Sequence, residues 1–129
     1  MKLCVYAITG AGPLRGQTRG VRGERLRLVT AGPIAAIVGE VHAVPRDTVP
    51  NLRRYDDALR RLAASRQALL PARFGTCFDS VDELAAVLRS RRPSLRAALG
   101  QVRQRGQMTA RVISPGSRAG GVRSLPPAP

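Results

Sequence analysis

The chain has 129 residues, 43% of them apolar, which fits one folded domain and excludes both a disordered chain and a multidomain assembly. Aromatic residues make up 3% and tryptophan is absent, so the core has to be built from Leu, Val, Ile and Ala. The net charge is +14, almost all from arginine, and its distribution is uneven: residues 84–129 carry nine arginines and no acid. A one-signed field of that kind draws acidic surfaces, nucleic acid or anionic membranes.

Lys2–Ile8 is β-branched and apolar on both faces, the pattern of a central strand. From Gly10 to Gly23 the chain is rich in glycine and arginine and reads as a loop. Arg25–Thr30 alternates Arg25, Arg27 and Val29 against Leu26, Leu28 and Thr30, as a half-buried strand does. Ala31-Gly32-Pro33 is a tight connection to a second apolar strand, Ile34–Val41, so residues 25–41 form a hairpin. Thr48–Gln67 is a helix with Leu52, Tyr55, Leu59 and Leu62 on one stripe. Asp56–Arg60 and Asp57–Arg61 are acid-before-base pairs at i,i+4 on it.

Ala68–Phe74 reads as a strand in which Pro71, lacking an N–H, favours a strand end, an edge or a bulge. Ser80-x-x-Glu83 is a capping box that opens a helix with Val81, Leu84, Ala85 and Leu88 on one stripe. Arg89, Arg91 and Arg92 gather at its end, where cations suit the helix dipole, and Pro93 terminates it. Ser94 caps a third helix with Leu95, Ala98, Leu99 and Val102 inward, and Gln107–Ile113 alternates as a last strand. The predicted organisation is an α+β domain over residues 1–113, with an antiparallel or mixed sheet, helices on one face and a ferredoxin-like variant of the topology. Residues 114–129, rich in Pro and Gly, form a flexible tail.

The chemistry-bearing residues give no enzyme constellation. His42 is the single histidine, and zinc needs at least three protein ligands, so no metal site is expected. Cys4 and Cys77 flank apolar residues and read as reduced, buried thiols in a cytoplasmic protein. Asp79, Asp82 and Glu83 serve the helix N-terminus rather than acid–base work. Gly10-Ala11-Gly12 follows a strand, but Pro13 and the Arg/Gly loop do not open the helix that a dinucleotide site requires. No cofactor is expected, and no segment is apolar over the ~20 residues needed to span a bilayer. A small basic protein that binds nucleic acid electrostatically and without sequence preference is one reading of the charge; stacking aromatics and a helix-turn-helix are lacking.

A second reading comes from ordered motifs. Leu3-Cys4-Val5-Tyr6-Ala7-Ile8, then Gly32-Pro33-Ile34-Ala35-Ala36-Ile37-Val38-Gly39-Glu40-Val41, the helix around Tyr55–Leu62, and Leu70-Pro71-Ala72-Arg73-Phe74-Gly75-Thr76 follow one another. Val81–Leu88 and Met108–Val112 complete the set. In this order they resemble the N-terminal domain of the gas vesicle GvpL/GvpF proteins. Two departures stand out: Gln107 occupies a position that is usually acidic in the family, and the family usually continues into a second, helical domain. The resemblance implies a non-enzymatic accessory or minor structural protein of gas vesicle assembly, cytoplasmic and vesicle-associated. Its partners would be the small hydrophobic shell protein and other accessory proteins. Arg73, Phe74, Arg89, Arg91 and Arg92 are the candidate partner-binding residues. Two structural readings stand beside that one: Phe74 as core, and Arg73 paired with Asp79 or capping a carbonyl.

Overall fold

The computed structural model describes residues 1–14, 16, 18–66 and 68–104. In order they form β1 (Lys2–Gly10), β2 (Arg27–Ala31), β3 (Ile34–Val41), α1 (Val49–Ser65), β4 (Leu69–Pro71), β5 (Cys77–Phe78), α2 (Val81–Ser90) and α3 (Arg92–Gln104). The expected strand at 107–113 and the tail at 114–129 lie outside the described residues.

The sheet runs β2-β3-β1-β4, with β5 also on β1, and every pairing is antiparallel. β1 is central, as its unbroken apolar run requires, and seven of its nine residues are buried. The β2–β3 hairpin closes through Gly32-Pro33 between the paired residues Ala31 and Ile34. Gly32 has φ +65°, which a side chain resists and glycine takes freely, and the proline ring then fixes a negative φ, the sequence of signs in a II′ turn. Strands β1, β2, β3 and β4 with α1 reproduce the ferredoxin-like order. Where that order has its first helix, between β1 and β2, no helix occurs among the described residues.

The α+β class and the antiparallel sheet agree with the sequence reading, but the helices divide between two faces instead of sharing one. Register explains how. A bulge in β1 makes Tyr6 an extra residue between the pairs Val5–Val38 and Ala7–Ile37. Tyr6 and Ala7 therefore both join Ile37 and Leu69 under Tyr55, Ala58 and Leu62 of α1, with Val21 and Leu26 of the loop. Leu3, Val5, Ile8, Val29, Val38 and Leu70 point the other way, into a core closed by Leu84 and Leu88 of α2 and Leu95, Leu99 and Val102 of α3. β1 and β3 are apolar on both sides because both sides are covered. Val29, expected on a solvated face with Arg25 and Arg27, is buried for the same reason.

Helix ends follow their caps. Thr48 Oγ1 accepts from Asn51 N–H at 3.3 Å, and Pro50 stands in the first turn of α1, where its missing N–H leaves no bond unmade. Ser80 Oγ accepts from Glu83 N–H at 3.1 Å, and Glu83 Oε1 returns to Asp79 N–H at 2.9 Å. Pro93 does not end α2. That helix stops at Ser90, and Pro93 occupies the first turn of α3, the one helical site that suits it. Ser94, the expected cap, is inside α3 and donates to the Arg91 carbonyl at 3.1 Å.

Three further expectations are corrected. Leu52 is exposed, together with Val49 and Val44, because α1 covers the sheet only from Tyr55 onward. Of the two helical ion pairs, Asp56–Arg60 closes at 3.0 Å and Asp57–Arg61 is not found among the ion pairs of the described residues. Cys4 and Cys77 are directly opposed in the β1–β5 register and joined by a disulfide, rather than separate thiols.

Candidate binding surface

The segment that carries the candidate residues Arg73 and Phe74 is an interrupted edge strand. Leu69–Pro71 pairs with the second half of β1 and Cys77–Phe78 with the first half. Strand Ala68–Phe74 was expected to be continuous; it breaks after Pro71, which sits at a strand end and on an edge as a residue without an N–H should. The gap is bridged by hydrogen bonds to β1: Ala72 N–H donates to the Tyr6 carbonyl at 2.9 Å, and Val5 N–H donates to the Thr76 carbonyl at 2.8 Å. Between them Arg73–Thr76 forms a turn, with Thr76 N–H and Oγ1 donating to the Arg73 carbonyl at 3.1 Å and 2.7 Å. Gly75, at φ +88°, takes the left-handed backbone that the turn requires.

Within this turn the two candidate residues play different parts. Phe74 is half-buried and stacks edge-on against Tyr55, ring centroids 5.1 Å apart at 86°. Tyr55 leans on Tyr6 at 5.0 Å. Three of the four aromatic rings of the chain thus form one row across the α1 face. The Tyr55 hydroxyl donates to the carbonyls of Tyr6, at 3.2 Å, and of Ala72, fastening the turn to the helix and the central strand. Arg73 is exposed, and its guanidinium makes no hydrogen bond or ion pair with other described residues. The suggested Arg73–Asp79 pair does not form, because Asp79 accepts from Lys2 Nζ instead. That bond holds the Asp79 carboxyl below its ordinary pKa and raises Lys2.

The row of rings ends at a carboxylate that the sequence reading passed over. Tyr6 Oη donates to Glu24 Oε2 at 2.8 Å and accepts from Val21 N–H at 2.9 Å, and Arg22 N–H donates to Glu24 Oε1 at 2.9 Å. Gly20 and Gly39 make room for this carboxylate: a Cβ on either would stand 2.2 Å or 2.3 Å from Glu24 Oε2. A glycine in the middle of an apolar strand, such as Gly39, is the signal of close approach that could have located Glu24. Burial pushes both tyrosine hydroxyls up. For Tyr6 the Val21 N–H works against that rise and Glu24 adds to it; for Tyr55 the neighbouring Tyr6 adds to it.

The remaining candidates are not brought to this turn. Arg89 is exposed in the last turn of α2. Arg91 is half-buried at the α2 C-cap, its N–H donating to the Val87 carbonyl at 3.0 Å. Arg92 opens α3 and lies over Gly32, so that a Cβ there would meet the guanidinium carbon at 3.2 Å; its Nε is buried without a hydrogen-bond partner among the described residues. Arg92 therefore packs on the β2–β3 turn at one edge of the sheet, and Arg73 stands at the other. His42 is exposed just beyond β3, and no group of three potential metal ligands occurs among the described residues.

A family model described as gas vesicle synthesis protein GvpL/GvpF matches residues 2–118. Among solved structures, the gas vesicle protein GvpF from Microcystis aeruginosa superposes with a TM-score of 0.69 at 16% identity, covering 78% of this chain and 43% of that one. GvpF from Anabaena sp. PCC7120 superposes at 0.66 with 17% identity and the same coverage, 78% and 43%. At these identities the likeness is one of fold, and this chain spans less than half the length of either structure. A comparison with curated protein sequences gives no match.

Proposed function

The chain belongs to the GvpL/GvpF family of gas vesicle synthesis proteins, and on that premise we propose that it is a non-enzymatic accessory protein of gas vesicle assembly. It binds the small hydrophobic shell protein and other accessory proteins, in the cytoplasm and at the growing vesicle. The observation that carries this reading is the Arg73–Thr76 turn. Phe74 anchors it against Tyr55, its backbone is tied to β1 on both sides, and Arg73 projects from it without a partner among the described residues. A charged group presented on a rigid support costs little to order on binding, which is what a docking contact needs.

The chemistry of the partner fits the same picture. An apolar shell protein must be kept from pairing with itself before assembly, and a folded partner that offers a sheet edge or groove does this. Arg89, Arg91 and Arg92 add a basic surface at the α2–α3 junction, suited to acidic accessory proteins. No helix among the described residues is long and apolar enough to cross a membrane.

Co-expression with a gas vesicle shell protein, followed by capture of the complex at ~0.1 M and at ~0.5 M salt, tests the proposal, because the higher salt screens surface charge to a few ångströms. A nucleic-acid-stripped sample runs in parallel. Capture of shell protein that persists at high salt is the expected result. Failure to capture it, with nucleic acid retained at low salt only, would replace the assembly role with electrostatic nucleic-acid binding.

A further inference from the structure

Where β1 leaves the sheet, Arg66 reaches across from the C-cap of α1. Its Nε donates to Thr9 Oγ1 at 3.2 Å, Nη2 to the Gly10 carbonyl at 2.8 Å and Nη1 to the Pro13 carbonyl at 2.7 Å. Thr9 is buried, and its own hydroxyl donates to the Ala68 carbonyl at 3.0 Å, so the guanidinium is held at a fixed place. All of these acceptors are neutral oxygens. A guanidinium has five N–H donors, and the contacts described use three of them.

An open cavity of about 420 Å³ lies at this position, lined by Arg66, Ser65 and the Gly10–Pro13 loop, with Arg103 from the last turn of α3 as a second cation. No Asp or Glu lines it among the described residues. The eight Asp and Glu side chains all lie in residues 24–83, and the ion pairs found among the described residues include those of Lys2, Arg27 and Arg60 but none of Arg66 or Arg103. Two arginines are thus directed to one polar cavity without an acid, one of them already immobilised. Gly10-Ala11-Gly12 puts a single methyl group on the wall, which leaves space for a chain to pass, and the volume exceeds what a compact oxyanion fills.

We propose that this cavity is a receptor for a carboxylate side chain on an acidic segment of a partner protein, held between Arg66 and Arg103. Bidentate guanidinium–carboxylate bonds are strong and directional, and the pinning of Arg66 removes much of the ordering cost. The site is separate from the Arg73 turn and does not depend on it.

The test is a nuclear magnetic resonance titration of the full chain with acetylated, amidated tetraglutamate, against tetraglutamine and against sodium sulfate at matched ionic strength. Tetraglutamate is expected to shift the Gly10 and Gly12 amides and the Arg66 Nε–H, with tetraglutamine and sulfate leaving them in place. Arg103→Ala is expected to weaken the peptide about tenfold, the scale of one lost hydrogen bond to a charged group. Arg96→Ala, which removes an exposed arginine from the same helix, is expected to leave the affinity within twofold. Because Arg103 is exposed, its replacement leaves the core intact even if Arg66→Gln disturbs the loop. Equal weakening by Arg96→Ala would reduce the site to a diffuse positive field. Shifts produced as well by sulfate would make it a small-anion site, and no shifts with tetraglutamate would remove it; each of these overturns the proposal.

Discussion

Gly39 and Tyr6 show at the residue scale how little room the α1 face leaves. The Glu24 carboxylate is fixed by Tyr6 Oη and Arg22 N–H, so it cannot swing aside from a new methyl group at Gly39 without breaking both bonds. Gly39→Ala should cost about 1–3 kcal/mol, as overpacking of a filled site does, and thermal denaturation followed by circular dichroism measures it. The same network yields a titration. Burial raises the pKa of both Tyr6 and Tyr55, and these are the only tyrosines in the chain. The unfolded chain then releases its phenolic protons first and binds fewer than the native state, so stability falls as pH climbs past about 10. Absorbance of tyrosinate near 295 nm should therefore rise together with the loss of helical signal. Ionisation completed while the fold persists would show that the two hydroxyls are not buried as described.

At the scale of elements, Tyr55 is the link between α1 and the broken edge strand. Tyr55→Phe keeps the ring contacts with Tyr6 and Phe74 but strips the Ala72 carbonyl of the hydroxyl that bonds to it. A loss of about 1–2 kcal/mol in chemical denaturation is expected, with faster hydrogen exchange at Ala72 and Thr76. Those local elements that obey local rules were legible in the sequence. The apolar runs of β1 and β3, the Gly32-Pro33 turn and the Ser80/Glu83 cap depend on neighbours a few residues away, and they stand where the pattern puts them. What depended on distant partners was not. The β1 bulge rotates Tyr6 onto the α1 face, a shift invisible in an unbroken apolar run. Pro93 reads equally as a stop or as a first-turn residue, and only the direction of α3 decides. The Cys4–Cys77 bond follows from β5, a strand of two residues that carries no periodicity to read. Of the candidate site, Arg73 and Phe74 were named through the family resemblance; that Phe74 packs on Tyr55 while Arg73 is exposed depends on Tyr55, 18 residues or more upstream.

For the whole molecule, a single sheet is covered on both faces, with most of its charge left outside. The ferredoxin-like half carries the aromatic row and the Arg73 turn, and the α2–α3 layer adds the basic surface. The fold corresponds to less than half of the solved GvpF structures it superposes on. The shell-protein contact proposed above lies on the Arg73 turn of this domain. The direct test is the affinity of the purified full chain for purified shell protein, measured side by side for wild type and Arg73→Ala at ~0.5 M salt, where unspecific charge attraction is screened. The account predicts measurable binding by the wild type and a loss of about tenfold or more in the variant, at the scale of a charged contact removed, with the melting temperature unchanged. Equal affinity of the two proteins, or no binding by either, would contradict it.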